Sequence, residues 1–226
     1  LRGLLDAFDE LDRSVREAQQ PTGQVRLSAP ISFGTARLVP VLTRFARAYP
    51  RIRLDVQFTD RMVRLVDEGF DAAVRVGHVE DGTLIARRLC SAELVVVAAP
   101  DYLSRHGTPH RPEDLGDHAC ILDSNFADPG HWQFSQGRSV PVYGRLTFST
   151  ADACLRAAEE GLGLAYMPDF VADESLAAGR VVRVLQGAAA EPFGIHALYP
   201  PGRHLAAKVR VLVDFLADKL TPKAPD

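Results

Sequence analysis

Three short stretches in order decide the fold: QVRLSA at residues 24–29, TARLVPVLTRFARAY at 35–49 and RLDVQF at 53–58. The first and third alternate polar and apolar side chains, which is typical of strands. The second places Leu42 and Phe45 on one face of a helix. A strand, a helix and a second strand in this order predict a right-handed βαβ unit and a parallel sheet.

The same alternation of strand and helix patterns continues to residue 220, so we expect an α/β protein with two lobes of similar size. The chain is predicted to pass between the lobes twice, near residues 98 and 196. The predicted division is a linker helix at 1–22, subdomain I at 23–97 with 197–220, subdomain II at 98–196 and a tail at 221–226.

The first segment repeats apolar residues at alternating intervals of three and four, the a/d spacing of a helical seam. Such a helix either folds onto its own domain or pairs with a second copy. The stop at Pro21-Thr22-Gly23 separates it from the rest of the chain and favours pairing. The apolar positions are Leu1, Leu4, Phe8, Leu11, Val15 and Ala18.

Composition excludes several classes of protein. The 226 residues are 46% hydrophobic with a formal net charge of -3, whereas proteins that hold nucleic acid by charge cluster basic residues. The longest apolar run, at 94–99, is too short to span a bilayer, and no secretory signal is visible. Three widely spaced cysteines fit a reducing compartment. We therefore expect a cytoplasmic location without membrane contact.

Catalytic and metal-binding patterns are weak. The Gly161-Leu162-Gly163 stretch ends a helix instead of opening one, which is the reverse of a dinucleotide loop. His106 and His110 have metal-like spacing, but Gly107 and Pro109 break the helix that would align them. We expect no enzyme activity, no metal and no cofactor.

A binding cleft is better supported, because ligands of open parallel sheets gather at the carboxyl ends of strands. Small polar residues follow several predicted strands there and suit a carboxylate or similar anion. Helix N-capping is the competing explanation for each of them. Arg75 either meets the anion or pairs with a neighbouring acid. The candidate effector-binding residues are Ser32, Phe33, Thr59, Arg75, Gly77, Ser124, Asn125, Ser149, Thr150 and Pro168.

Several of these stretches together resemble the effector-binding region of LysR-type transcriptional regulators. The resemblance runs from Gly23 to Leu220, and the leading helix looks like the family's linker helix. The segments that carry it include GQVRLSAP at 23–30, LVDEGFDAAVRVG at 65–77, AAEEGLGLAYMPDF at 157–170 and RHLAAKVRVLVDFL at 203–216.

The resemblance implies two Rossmann-like subdomains of periplasmic-binding-protein type, joined by two crossing strands, with a small-molecule inducer between them. It also implies homodimers or homotetramers. The family's winged helix-turn-helix would precede residue 1, so DNA contact is expected only through that domain. Similar sequences often carry Asn where Ser149 stands, which leaves the inducer class open.

The expected function is therefore to sense a small, anionic metabolite as the regulatory half of such a regulator. The alternative is a solute-binding protein of a transport system. The absent signal peptide and the leading helical seam disfavour that alternative.

Overall fold

The structure is a computed structural model that describes residues 21–77, 83–201 and 206–221. The predicted linker helix, apart from its last two residues, and the tail beyond Thr221 lie outside the described residues. Two five-stranded sheets and a small hairpin organise the described part of the chain. This arrangement confirms the predicted two-lobe α/β fold.

The sheet of lobe I has the strand order β2-β1-β3-β12-β4. Strand β1 pairs in parallel with β2 and β3, which confirms the βαβ unit predicted from residues 24–58. Strand β12 lies antiparallel between β3 and β4. The bounds are β1 Gly23–Ala29, β2 Ile52–Phe58, β3 Ala72–Val76, β4 Ile85–Ala92 and β12 Phe193–Tyr199.

The sheet of lobe II has the order β11-β5-β10-β6-β9. Here β6 pairs in parallel with β10 and β9, whereas β5 is antiparallel to β10 and β11. The hairpin of β7 and β8 lies beside this sheet. The bounds are β5 Leu94–Ala98, β6 Cys120–Asp123, β7 His131–Gln133, β8 Ser139–Pro141, β9 Leu146–Phe148, β10 Leu164–Pro168 and β11 Val182–Val184.

Helix α1 begins four residues before the predicted start and contains an irregular turn. It runs through Ile31–Phe33, a π-helical turn at Gly34–Leu38 and a regular segment at Val39–Ala48. A Cβ on Gly34 would lie 2.4 Å from the Phe58 ring, so a larger residue there would require the ring to move. Pro40 has no N–H to donate to residue 36, which interrupts the regular ladder at this turn.

Four further α-helices of the described residues cover the sheets, and one of the three apolar clusters continues across both lobes. In lobe I, the ring of Phe45 meets the edge of Phe215 at 5.4 Å between centroids. Between the lobes, Phe33 and Phe170 meet in the same way at 5.3 Å. The helices are α2 Pro100–His106, α3 Ala151–Glu159, α4 Asp169–Ala177 and α5 Ala207–Leu220.

The two passages between lobes differ from the expected boundaries at 97/98 and 196/197. All of β5 pairs within the lobe II sheet, and all of β12 pairs within the lobe I sheet. The chain therefore changes sheet at Glu93 and again between residues 184 and 193. Backbone pairing places each passage a few residues before its expected position.

Candidate functional site

A cleft of about 490 Å³ opens between the lobes, where the carboxyl ends of β1, β2 and β3 face those of β6 and β10. Small-molecule sites commonly have volumes in this range and apolar walls with few polar groups. Most of the wall is apolar here too. The large apolar side chains that line it are Phe33, Met62, Leu94, Phe126, Pro168, Phe170 and Phe193.

The structure brings most of the predicted site residues together. Those that line the cleft are Ser32, Phe33, Thr59, Arg75, Gly77, Asn125 and Pro168. Thr59 also accepts a hydrogen bond from the Arg61 backbone N–H at 3.2 Å through its own hydroxyl. The hydroxyl is therefore already engaged in a local turn.

Three predicted residues do not line the cleft. Thr150 caps helix α3, because its hydroxyl oxygen accepts a hydrogen bond from the Ala153 N–H at 3.3 Å. The Ser149 carbonyl accepts from the Asn125 side-chain amide at 2.7 Å. Ser124 is exposed and its backbone N–H donates to the Phe148 carbonyl at 2.8 Å. The Thr150 hydroxyl therefore serves as a helix cap, as the capping explanation anticipated, whereas these contacts of Ser149 and Ser124 involve their backbone groups.

Arg75 is the cationic residue among the described residues that line the cleft. Its residue is only 9% exposed, and burial lowers the pKa of its guanidinium. The guanidinium donates to the Val74 carbonyl at 2.7 Å and to the Ser28 hydroxyl at 3.0 Å. No carboxylate of the described residues lies within ion-pair distance of it. Of the two alternatives raised for Arg75, this geometry disfavours pairing with a neighbouring acid.

Asp60 is a cleft residue that sequence reasoning missed. One carboxylate oxygen accepts from the Ile31 backbone N–H at 3.0 Å, at the start of α1. The other accepts from the Asn125 side-chain amide of lobe II at 3.4 Å. The first N–H of α1 is thus already occupied by the protein's own carboxylate.

Asp123, the last residue of β6, was missed as well. It lines the cleft and is only 6% exposed. One of its oxygens accepts from the Asn125 backbone N–H at 2.9 Å. Burial raises the pKa of its carboxyl group. The only available signal was an acidic residue at the end of the apolar CILD strand, which also describes a surface strand end.

Polar contacts join the lobes around the cleft. The Ser32 hydroxyl donates to the Asp152 carboxylate of α3, and Arg37 of α1 forms an ion pair with Asp173 of α4. Ser32 lies inside α1, whose N-cap is Pro30, so the capping explanation does not hold for it. Its hydroxyl bridges the two lobes instead.

The two buried cysteine thiols are poor candidates for nucleophilic chemistry. Burial raises the pKa of both the Cys120 and Cys154 thiols to about 12, which keeps them protonated and unreactive. No cluster of potential metal ligands occurs in residues 21–77, 83–201 and 206–221. Within the same ranges, no helix is long and apolar enough to cross a membrane.

Comparison with known proteins decides the family. The model of the LysR substrate binding domain matches residues 18–221. The chain belongs to the LysR family. Among LysR relatives, the transcriptional regulator PtxR of Pseudomonas aeruginosa is 32% identical over 221 residues, which cover 96% of this chain and 71% of PtxR. An uncharacterised HTH-type regulator of Haemophilus influenzae is 30% identical over 212 residues, or 92% and 74% of the two chains.

Solved LysR-type structures share the fold. The regulatory domain of CrgA from Neisseria meningitidis superposes with a TM-score of 0.81 at 27% identity, covering 88% of this chain and all of that domain. The regulatory domain of AphB from Vibrio vulnificus gives a TM-score of 0.72 at 30% identity, covering 87% and 98%. These comparisons confirm the effector-binding, regulatory role and do not favour the transport alternative. The relatives are transcriptional regulators and not enzymes.

Proposed function

We propose that this LysR-family chain senses a small molecule with a carboxylate or similar anionic group, which Arg75 binds in the cleft between the lobes. The observation that carries the proposal is the burial of the Arg75 guanidinium in a ligand-sized cleft. The Asp60 carboxylate of the same cleft attracts Arg75 through space but forms no ion pair with it, and a buried charge that is not directly paired is costly. An anionic ligand supplies the directly paired opposite charge and adds a bidentate hydrogen bond that guanidinium groups favour.

Ligand binding would shift the equilibrium between an open and a closed arrangement of the two lobes. Ligand groups that touch both walls favour the closed arrangement, and a ligand shifts such an equilibrium only by its differential affinity for the two states. A shift from almost fully open to almost fully closed takes about 5.5 kcal/mol. Lobe closure would then alter contacts between subunits of a homodimer or homotetramer. We place this sensor in the cytoplasm, with DNA contact made through an N-terminal domain.

The test is a thermal-shift screen of small aromatic and aliphatic acids, followed by calorimetric titration. Binding to the native state alone raises apparent stability. Arg75→Gln should weaken the best acid about ten- to a hundredfold, the loss expected for one hydrogen-bonded charge. Arg47→Gln, at an exposed position on α1, is the matched control and should bind like the wild type.

Two results would count against the proposal. Acids that bind with equal affinity to the wild type and to Arg75→Gln would remove Arg75 from the site. A screen in which neutral compounds bind and acids do not would exclude an anionic effector.

A further inference from the structure

Building on the proposed function, we propose that the effector also carries a hydrogen-bond donor, a hydroxyl or an ammonium group, and that Asp123 accepts it. The ligand class is then a small acid with an apolar body and a donor group. The juxtaposition of Arg75 in lobe I and Asp123 in lobe II on the walls of one cleft leads to this inference.

Asp123 lines the cleft and has unused acceptor capacity. An ionised carboxylate offers about four acceptor positions, and the Asn125 backbone N–H is the partner found for it in the described residues. No Lys, Arg or His of those residues forms an ion pair with it. Its raised pKa agrees with a carboxylate that burial leaves poorly compensated.

Asp60 differs from Asp123 in this respect. Both of its oxygens accept hydrogen bonds from the protein, one from the Ile31 N–H and one from the Asn125 amide. Asp60 is also exposed, whereas Asp123 is buried. The oxygens of Asp60 therefore already accept hydrogen bonds from the protein and from solvent. Asp123 is the carboxylate whose free acceptor positions a ligand donor would fill.

The charges of the cleft are poorly suited to a simple anion. An acid bound at Arg75 shares about 490 Å³ with the Asp123 carboxylate, and like charges in a partly desolvated space repel each other. A donor at the second end of the ligand replaces this repulsion with a hydrogen bond. Phe33, Phe126 and Phe193 line the same cleft and suit an apolar body that carries both groups.

The experiment compares matched acids in calorimetric titrations. The probes are benzoate and phenylacetate, each beside its 3- and 4-hydroxy and its 3- and 4-aminomethyl derivatives. At least one derivative should bind the wild type tenfold or more tightly than its parent acid. Asp123→Asn keeps an oxygen that can accept from the Asn125 N–H and should abolish that advantage. Asp117→Asn, at an exposed position of the same lobe, should retain it.

The outcomes separate this inference from the function on which it rests. Parent acids and derivatives that bind the wild type equally overturn the inference, whereas a ten- to hundredfold weaker binding of all these acids to Arg75→Gln still supports an anionic effector. An advantage that persists in Asp123→Asn overturns the role of Asp123. If no acid binds the wild type, both proposals are refuted. Asp123→Ser replaces Asp123→Asn if the latter does not fold.

Discussion

The hydrogen bond between Ser32 and Asp152 links α1 of lobe I to α3 of lobe II, and it should be measurable as a coupling energy. A hydrogen bond to a charged group contributes about 1.5–3 kcal/mol when it is buried. Ser32 is half-buried and Asp152 is exposed, and solvent screening reduces such contributions. We therefore expect a coupling of about 0.5–1.5 kcal/mol between the two side chains.

The assay is a double-mutant cycle of Ser32→Ala and Asp152→Ala, followed by urea unfolding. Each single variant should lose stability, and the double variant should lose less than the sum of the two. Thr43→Ala provides the control, since the Thr43 hydroxyl donates to the Val39 carbonyl of its own helix at 2.9 Å. Its effect should add to that of Asp152→Ala.

Additive effects of the two substitutions would refute the predicted coupling. Effects of Ser32→Ala and Asp152→Ala that add within about 0.3 kcal/mol, the usual scatter for independent sites, would show that the two side chains are uncoupled. In that case the contact between the lobes does not contribute to stability.

Three further predictions concern the cap, the buried acid and the thiols. Thr150→Ala should lower the free energy of unfolding by about 1 kcal/mol through loss of the α3 cap, while calorimetry should show unchanged acid affinity. Because folding raises the pKa of Asp123, its burial costs stability above the ordinary aspartate pKa of about 3.9. The stability of Asp123→Asn relative to the wild type, measured in urea, should increase from pH 4 to pH 7, and a flat profile would contradict this. Iodoacetamide should label half-buried Cys90 before Cys120 and Cys154, as followed by mass spectrometry; equal labelling of the native thiols would contradict their burial.

The sequence was sufficient for the sheets because their apolar patterns are regular. Strands β1 and β2 follow the predicted βαβ order, and most residues predicted after strand ends do line the cleft. The passages between lobes were harder to place. A single residue, Glu93, separates β4 from β5, so no turn signal marks the change of sheet.

The sequence predicted the site less completely than the sheets, because the side chains concerned are suited to more than one role. The same hydroxyl that suits an anion also suits a helix cap, and only the structure shows that Thr150 is used as a cap. Asp60 and Asp123 follow or end strands, where carboxylates usually face solvent. Their positions on the cleft wall depend on how two lobes, built from segments far apart in the sequence, pack against each other. A local sequence pattern does not predict this packing.

The position of β12 between β3 and β4 has a consequence for synthesis on the ribosome. Strand β12 is made about a hundred residues after β4, which corresponds to roughly 5–20 s of translation. Among the described strands, β4 pairs only with β12. It therefore has no sheet partner during the synthesis of β5 to β11. The lobe II sheet is complete before that of lobe I. A nascent chain that ends before residue 193 would expose unpaired edges of β3 and β4, which makes this interval the one most open to aggregation.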